Sequence, residues 1–187
     1  MSQQDQFQTD VLVVGSGPMG ATTALALAKY GVRVQVVSRF NWTANTPRAH
    51  ITNQRAVEVL RDLGVEEEAK KFATPWEWMG DTLFTTSLAG PEIARLRTWG
   101  TGDERYGDYL KGSPCTMLDV PQDRMEPVLV KHAAAQGAVF SWNTEYLGHQ
   151  QDAEGVSVQL QDRITGREYT VRARYLVGAD GARSKVM

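Results

Sequence analysis

At 187 residues the chain can form one sizeable domain, or one and a half small ones. A net charge of −2 with scattered Lys and Arg gives no electrostatic footprint for nucleic acid or for an anionic membrane. The lone cysteine, Cys115, excludes an internal disulfide framework, and the polar opening MSQQDQFQTD with no long apolar run predicts a cytoplasmic protein that does not span a membrane.

Asp10–Val14 (DVLVV) is a nearly all-apolar run, as expected of a parallel strand covered on both faces. Glycines then interrupt it, and Ala21–Tyr30 reads as a helix of small and apolar residues stopped by Gly31. Val32–Val37 is a second strand, which completes a βαβ unit. Ser38–Pro47 is a loop. Ala56, Val59, Leu60 and Leu63 fall on one face of a helix over Asn53–Leu63, ended by Gly64. Glu66–Phe72 reads as a short, solvated surface helix, and Asp81–Trp99 as strands around Ala89-Gly90-Pro91. Thr101–Ser113 is Gly-rich and charged, hence a loop, and Pro121 opens a helix to Ala135. Ala138–Trp142, Thr144–Gln150, Val156–Gln161 and Tyr169–Val177 follow as strands, the last returning to the buried sheet. Because the chain stops soon after that strand, truncation is expected rather than a domain boundary.

Gly15-Ser16-Gly17-Pro18-Met19-Gly20 fits the GxGxxG pattern between strand and helix. Gly15 permits the sharp turn, Gly17 lets a pyrophosphate approach the backbone, and Gly20 lets the helix pack closely. The anion then sits at the helix N-terminus, where free N–H groups and the dipole favour negative charge. The acidic residue that usually binds the ribose diol at the end of the second strand is replaced by Ser38, a weaker partner. This substitution, and the β-rich stretch after Asp81, argue against a nicotinamide-dependent dehydrogenase or reductase built on an ordinary Rossmann domain. Trp76 and Trp78 read as packing a core edge, His132 and His149 as surface residues, and Cys115 as a small hydrophobe. No metal-ligand spacing is present, so no metal site is expected.

VLVVGSGPMGATTALALAKYGV, PRAHITNQRAVEVLRDLGV, VPQDRMEPVL and YLVGADGARSKV together resemble the single-component FAD-dependent aromatic hydroxylases, nearest the phenol and chlorophenol monooxygenases. The resemblance covers essentially the whole chain but only the front third or so of a family member. It implies an α/β fold, with an FAD-binding Rossmann-like βαβ, a parallel sheet and an antiparallel β-meander of the glutathione-reductase and p-hydroxybenzoate-hydroxylase kind. Residues 1–187 would be the N-terminal portion of the FAD-binding domain, with 74–118 the start of a β-rich substrate-domain insertion. Position by position, it implies that Arg48 reaches toward the FAD pyrophosphate and flavin and that Gln122 contacts FAD. Asp180 and Gly181 match the DG fingerprint linked with FAD and reduced nicotinamide. Gly15, Gly17, Pro18, Met19, Gly20, Ser38 and Arg39 complete the cofactor-binding set. His50 stands where phenol hydroxylases carry an acid thought to deprotonate the phenol, and is the candidate base. The implied reaction is ortho hydroxylation of a phenolic small molecule with FAD, NAD(P)H as co-substrate and O₂, with a homo-oligomer left open. Isolated, the chain is expected to bind FAD weakly and turn nothing over; a non-catalytic dinucleotide-binding fragment is the other reading.

Overall fold

The computed structural model describes residues 8–98 and 102–187. In chain order the first elements are β1 (Thr9–Val14), α1 (Pro18–Lys29), β2 (Val34–Val37), β3 (Ile51–Thr52), α2 (Gln54–Leu63), α3 (Glu66–Lys70), β4 (Asp81–Thr85), β5 (Glu92–Arg97) and α4 (Asp103–Gly112). There follow β6 (Leu118–Asp119), α5 (Gln122–Ala135), β7 (Val139–Ser141), β8 (Thr144–Gln151), β9 (Val156–Asp162) and β10 (Glu168–Gly178). They form two compact units: the chain up to Arg48 together with Gln122–Met187, and Ala49–Pro121.

In the first unit a six-stranded sheet runs β7-β2-β1-β10-β9-β8. β7, β2, β1 and β10 pair in parallel, whereas β10, β9 and β8 form an antiparallel meander. The fold is therefore α/β with a mixed sheet. β10 belongs to both halves: Glu168–Ala173 pairs with β9, and Ala173–Gly178 pairs with β1. Central β1 is almost fully buried, as its apolar run predicts, with Leu12 and Val13 wholly inaccessible.

α1 buries Gly20, Ala21, Ala24, Leu25 and Ala28, a stripe of mostly small side chains that permits close packing, and it lies against α5. It starts at Pro18, three residues before the small-residue run, because proline is preorganised for a first helical turn. Its end is a Schellman turn: Gly31 has φ +76°, and the Val32 N–H donates to the Leu27 carbonyl. α5 begins after Pro121 rather than on it, and carries Pro127 inside, so Asp123 lacks the usual i+4 N–H for its carbonyl.

In the second unit, β3 and β6 pair antiparallel, and so do β4 and β5. Asn53 caps α2 by accepting from the Ala56 N–H, and Gly64 ends it in the left-handed region. Three expectations are corrected here. Residues Asp103–Gly112 form helix α4, not a loop; the start of the expected loop, Thr101, lies outside the described residues. Glu66 is not solvated: it is buried between Arg61 and Lys70, and the Arg61 hydrogen bonds hold its carboxyl down to about 2 despite the cost of burial. Periodicity did not show this because a five-residue helix is too short to display a face. Trp78 is exposed, whereas Trp76 is half-buried against the Tyr109 ring, centroids 5.7 Å apart. Among the described residues no helix is long and apolar enough to cross a membrane.

Candidate cofactor site

The parallel arrangement of β2, β1 and β10 brings their carboxyl ends to one edge of the sheet, the usual place for a ligand crevice in an open α/β fold. Two hydrogen bonds tie these ends together. The Gly15 N–H donates to the Val37 carbonyl at 2.9 Å, and the Ala179 N–H donates to the Val14 carbonyl at 2.8 Å. A cavity of about 950 Å³ opens above them, near the upper limit of roughly 1,000 Å³ for small-molecule sites.

The glycines of the turn have different surroundings. Gly15 adopts φ +108°, and a Cβ there would lie 2.2 Å from the Ala179 carbonyl oxygen. At Gly20 a Cβ would lie 1.9 Å from the Gly15 carbonyl oxygen. Gly20 is thus buried beneath the turn and does not line the cavity; its tight contact is to the turn backbone itself. Gly17 is the opposite case. Its Cβ would meet only Glu126 Oε1, at 3.8 Å, so the space in front of it is open. Gly17 is the N-cap of α1, and no side chain caps that end or places an acid in the first turn. Pro18 has no N–H, so the backbone donors left for an anion on the cavity wall are those of Gly17 and Met19. An uncapped helix start facing open volume fits a diphosphate.

Besides Gly15, Gly17, Pro18 and Met19, the cavity is lined by Ser38, Arg39, Arg48, Gln122, Asp180 and Gly181. Ser38 is buried at the end of β2, and its Oγ accepts from the Ser16 hydroxyl at 2.9 Å and from the Phe40 N–H at 3.4 Å. A hydroxyl also carries one hydrogen of its own to donate, and Ser38 lines the cavity. Arg39 lies over the Phe40 ring, 5.0 Å from its centroid, and Arg48 is exposed on the cavity wall. The Asp180 carboxylate accepts from the Ser184 hydroxyl and the Lys185 N–H, both at 2.7 Å. Burial raises its pKa, but these bonds outweigh that and leave it below the ordinary carboxylate range.

Two carboxylates of α5 were not singled out from the sequence. Glu126 is buried, with Oε1 accepting from Gln122 Nε2 at 2.5 Å and Oε2 from the Ala44 N–H at 2.6 Å. It thereby holds both Gln122 and the loop that leads to Arg48. The available signal was its spacing: Glu126 sits three and four residues before Leu129 and Val130, on the buried face. Asp123 also lines the cavity.

His50 belongs to the second unit. Its Nδ1 lies 2.6 Å from Asp119 Oδ1, and its ring is half exposed. The backbone holds the pair together, since Ile51 faces Asp119 across the β3–β6 ladder and the Val120 N–H donates to the His50 carbonyl at 2.7 Å. Among the described residues no group of three His, Cys, Asp or Glu side chains could hold a metal ion.

The family model described as "FAD binding domain" matches residues 8–187. The chain belongs to the FAD binding domain family. FAD is its cofactor, which sets aside the nicotinamide-dehydrogenase alternative. This FAD-binding domain is 56% identical to 2,4-dichlorophenol 6-monooxygenase of Cupriavidus pinatubonensis (strain JMP 134 / LMG 1197), over 97% of the chain and 30% of that protein. It is 52% identical to phenol 2-monooxygenase of Pseudomonas sp. (strain EST1001), over 99% of the chain and 30% of that protein. Among solved structures it resembles the flavin-dependent monooxygenase PieE in complex with FAD and substrate, with a TM-score of 0.89 and 45% identity over 94% of the chain and 31% of PieE. The chain spans about 30% of the length of the curated relatives it matches.

Proposed function

We propose that this domain belongs to a monooxygenase that hydroxylates a phenolic ring, a chlorophenol included, ortho to its hydroxyl, using NAD(P)H and O₂. The observation that carries the reading is the likeness to phenol and chlorophenol monooxygenases over nearly the whole chain. Bound FAD would supply the redox and oxygen-transfer chemistry. The chain's own residues have simpler tasks. The N–H groups of Gly17 and Met19 hold the diphosphate, with Arg48 as a cationic neighbour. Gln122, fixed by Glu126, offers its carbonyl oxygen and one remaining amide hydrogen to the cofactor. Ser38, Arg39, Asp180 and Gly181 contact it from the other walls. Residues 74–118, which fall inside the second unit, begin the β-rich substrate domain.

His50 acts as the base. With Nδ1–H held by Asp119, Nε2 is the nitrogen that accepts the phenol proton. Deprotonation enriches the ortho carbon in electrons, which favours attack on an electrophilic oxygen. The test is phenol-stimulated NAD(P)H oxidation with catechol analysis, in the full-length flavoprotein carrying this sequence and in its His50→Asn variant. Stimulated turnover to a catechol is expected, with the variant losing roughly 10²-fold or more in kcat/KM. A flavoprotein that no substituted phenol stimulates would overturn the reading; a variant with kcat/KM within twofold of wild type would remove His50 alone.

A further inference from the structure

Asp123 has an oxygen with nothing to bind. Its Oδ1 is buried and has no hydrogen-bond partner among the described residues, although the residue stands on the wall of the cofactor cavity. Arg124 Nε approaches only the other oxygen, Oδ2, and no closer than 3.8 Å. A buried acceptor without a donor is costly, and native proteins rarely leave one unless a ligand or an ordered water completes it.

Chemistry and place narrow the missing donor. A carboxylate accepts and does not donate, so the diphosphate and the flavin carbonyls are excluded as partners. The sugar hydroxyls of FAD, on its ribityl chain and on its adenosine ribose, flank the diphosphate on either side. The other donors of FAD, N–H groups on the flavin ring and on adenine, stand at the far ends of the cofactor, away from the diphosphate. Glu126, three residues further along α5, reaches within 3.8 Å of the point where a Gly17 Cβ would stand. Asp123 is thus about 5 Å along the helix from the residue beside the diphosphate cradle. The end of β2, where an acid would ordinarily meet the ribose, instead holds Ser38, whose hydroxyl already accepts two hydrogen bonds.

We infer that Asp123 is the carboxylate that accepts hydrogen bonds from a sugar hydroxyl of FAD, supplying from α5 the acid missing at the end of β2. The inference rests on the FAD assignment above and assigns a binding role, not a catalytic one.

The test measures FAD affinity by flavin fluorescence quenching, and thermal midpoints of the FAD-stripped protein, for wild type, Asp123→Ala and Asp123→Asn in the full-length flavoprotein. Riboflavin and ADP serve as separate probes of the two sugars. Asp123→Ala is expected to weaken FAD by about tenfold to a hundredfold while the stripped protein melts no lower than wild type, because the orphaned acceptor is gone. Asp123→Asn keeps an acceptor oxygen and should recover part of the loss. A loss confined to riboflavin places the partner on the ribityl chain, and one confined to ADP places it on the ribose. FAD affinity within twofold of wild type in Asp123→Ala would overturn the inference, as would a melting point of the stripped protein that falls in step with affinity. A wild type that fails to bind FAD would refute the cofactor assignment as well.

Discussion

Replacing Gly20 by alanine is expected to cost roughly 3 kcal/mol or more, a large share of the about 5–15 kcal/mol that holds a typical domain together. The added Cβ would lie 1.9 Å from the Gly15 carbonyl oxygen and 3.3 Å from Ala179 Cβ. The near neighbour is backbone, held by the Gly15–Val37 and Ala179–Val14 hydrogen bonds, so it cannot swing aside as a side-chain tip could. Relief requires α1 to lift off the turn, which opens its Ala21, Ala24, Leu25 and Ala28 face. Alanine is otherwise the better helix former, by about 1 kcal/mol over glycine, so the sign of the effect is diagnostic. A chemical denaturation midpoint equal to or above wild type would show that the helix does not sit as described.

Gly17→Val is expected to leave the fold largely intact and to weaken FAD binding by roughly 10²-fold or more. Backbone strain does not arise, because the extended conformation of Gly17, φ −64° and ψ −177°, is open to any residue. Nor does crowding in the empty protein, since the nearest atom to a Cβ is 3.8 Å away. The bulk instead enters the volume in front of the free N–H groups, where the anion would sit. Two charge-assisted hydrogen bonds, each worth about 1.5–3 kcal/mol, are displaced together, which is the source of the magnitude. Titration with FAD, alongside a far-ultraviolet circular dichroism spectrum and a melting curve, checks both halves. Gly20 and Gly17 lie three residues apart in one motif, yet one substitution damages stability and the other affinity.

Much of this arrangement was legible in the chain itself. The apolar DVLVV run, the small-residue helix and Gly31 specify a βαβ unit through local rules alone, and the structure contains it. The strands after Ala138 were legible from their alternation, but their antiparallel pairing came only with the resemblance to the aromatic hydroxylases, because alternation does not fix strand direction. What stayed hidden depends on partners distant in sequence. Glu66 looks solvated until Arg61 and Lys70 close around it. Glu126 is joined to Ala44 across 82 positions, and no periodicity reports such a contact. Asp123 is noticeable only once a cavity exists for its unpartnered oxygen to line. α4 escaped because Gly107 and Gly112 carry weak helix propensity, which tertiary context overrides.

The central claim is that the turn from Gly15 to Gly20 holds the diphosphate of FAD on the N-terminus of α1. A crystal structure of the protein grown with FAD tests it directly. The account predicts diphosphate oxygens within about 3 Å of the Gly17 or Met19 backbone nitrogens, with the Gly15 turn unmoved. Diphosphate density anywhere else, or a turn closed over by side chains while the nucleotide lies at another surface, would contradict it.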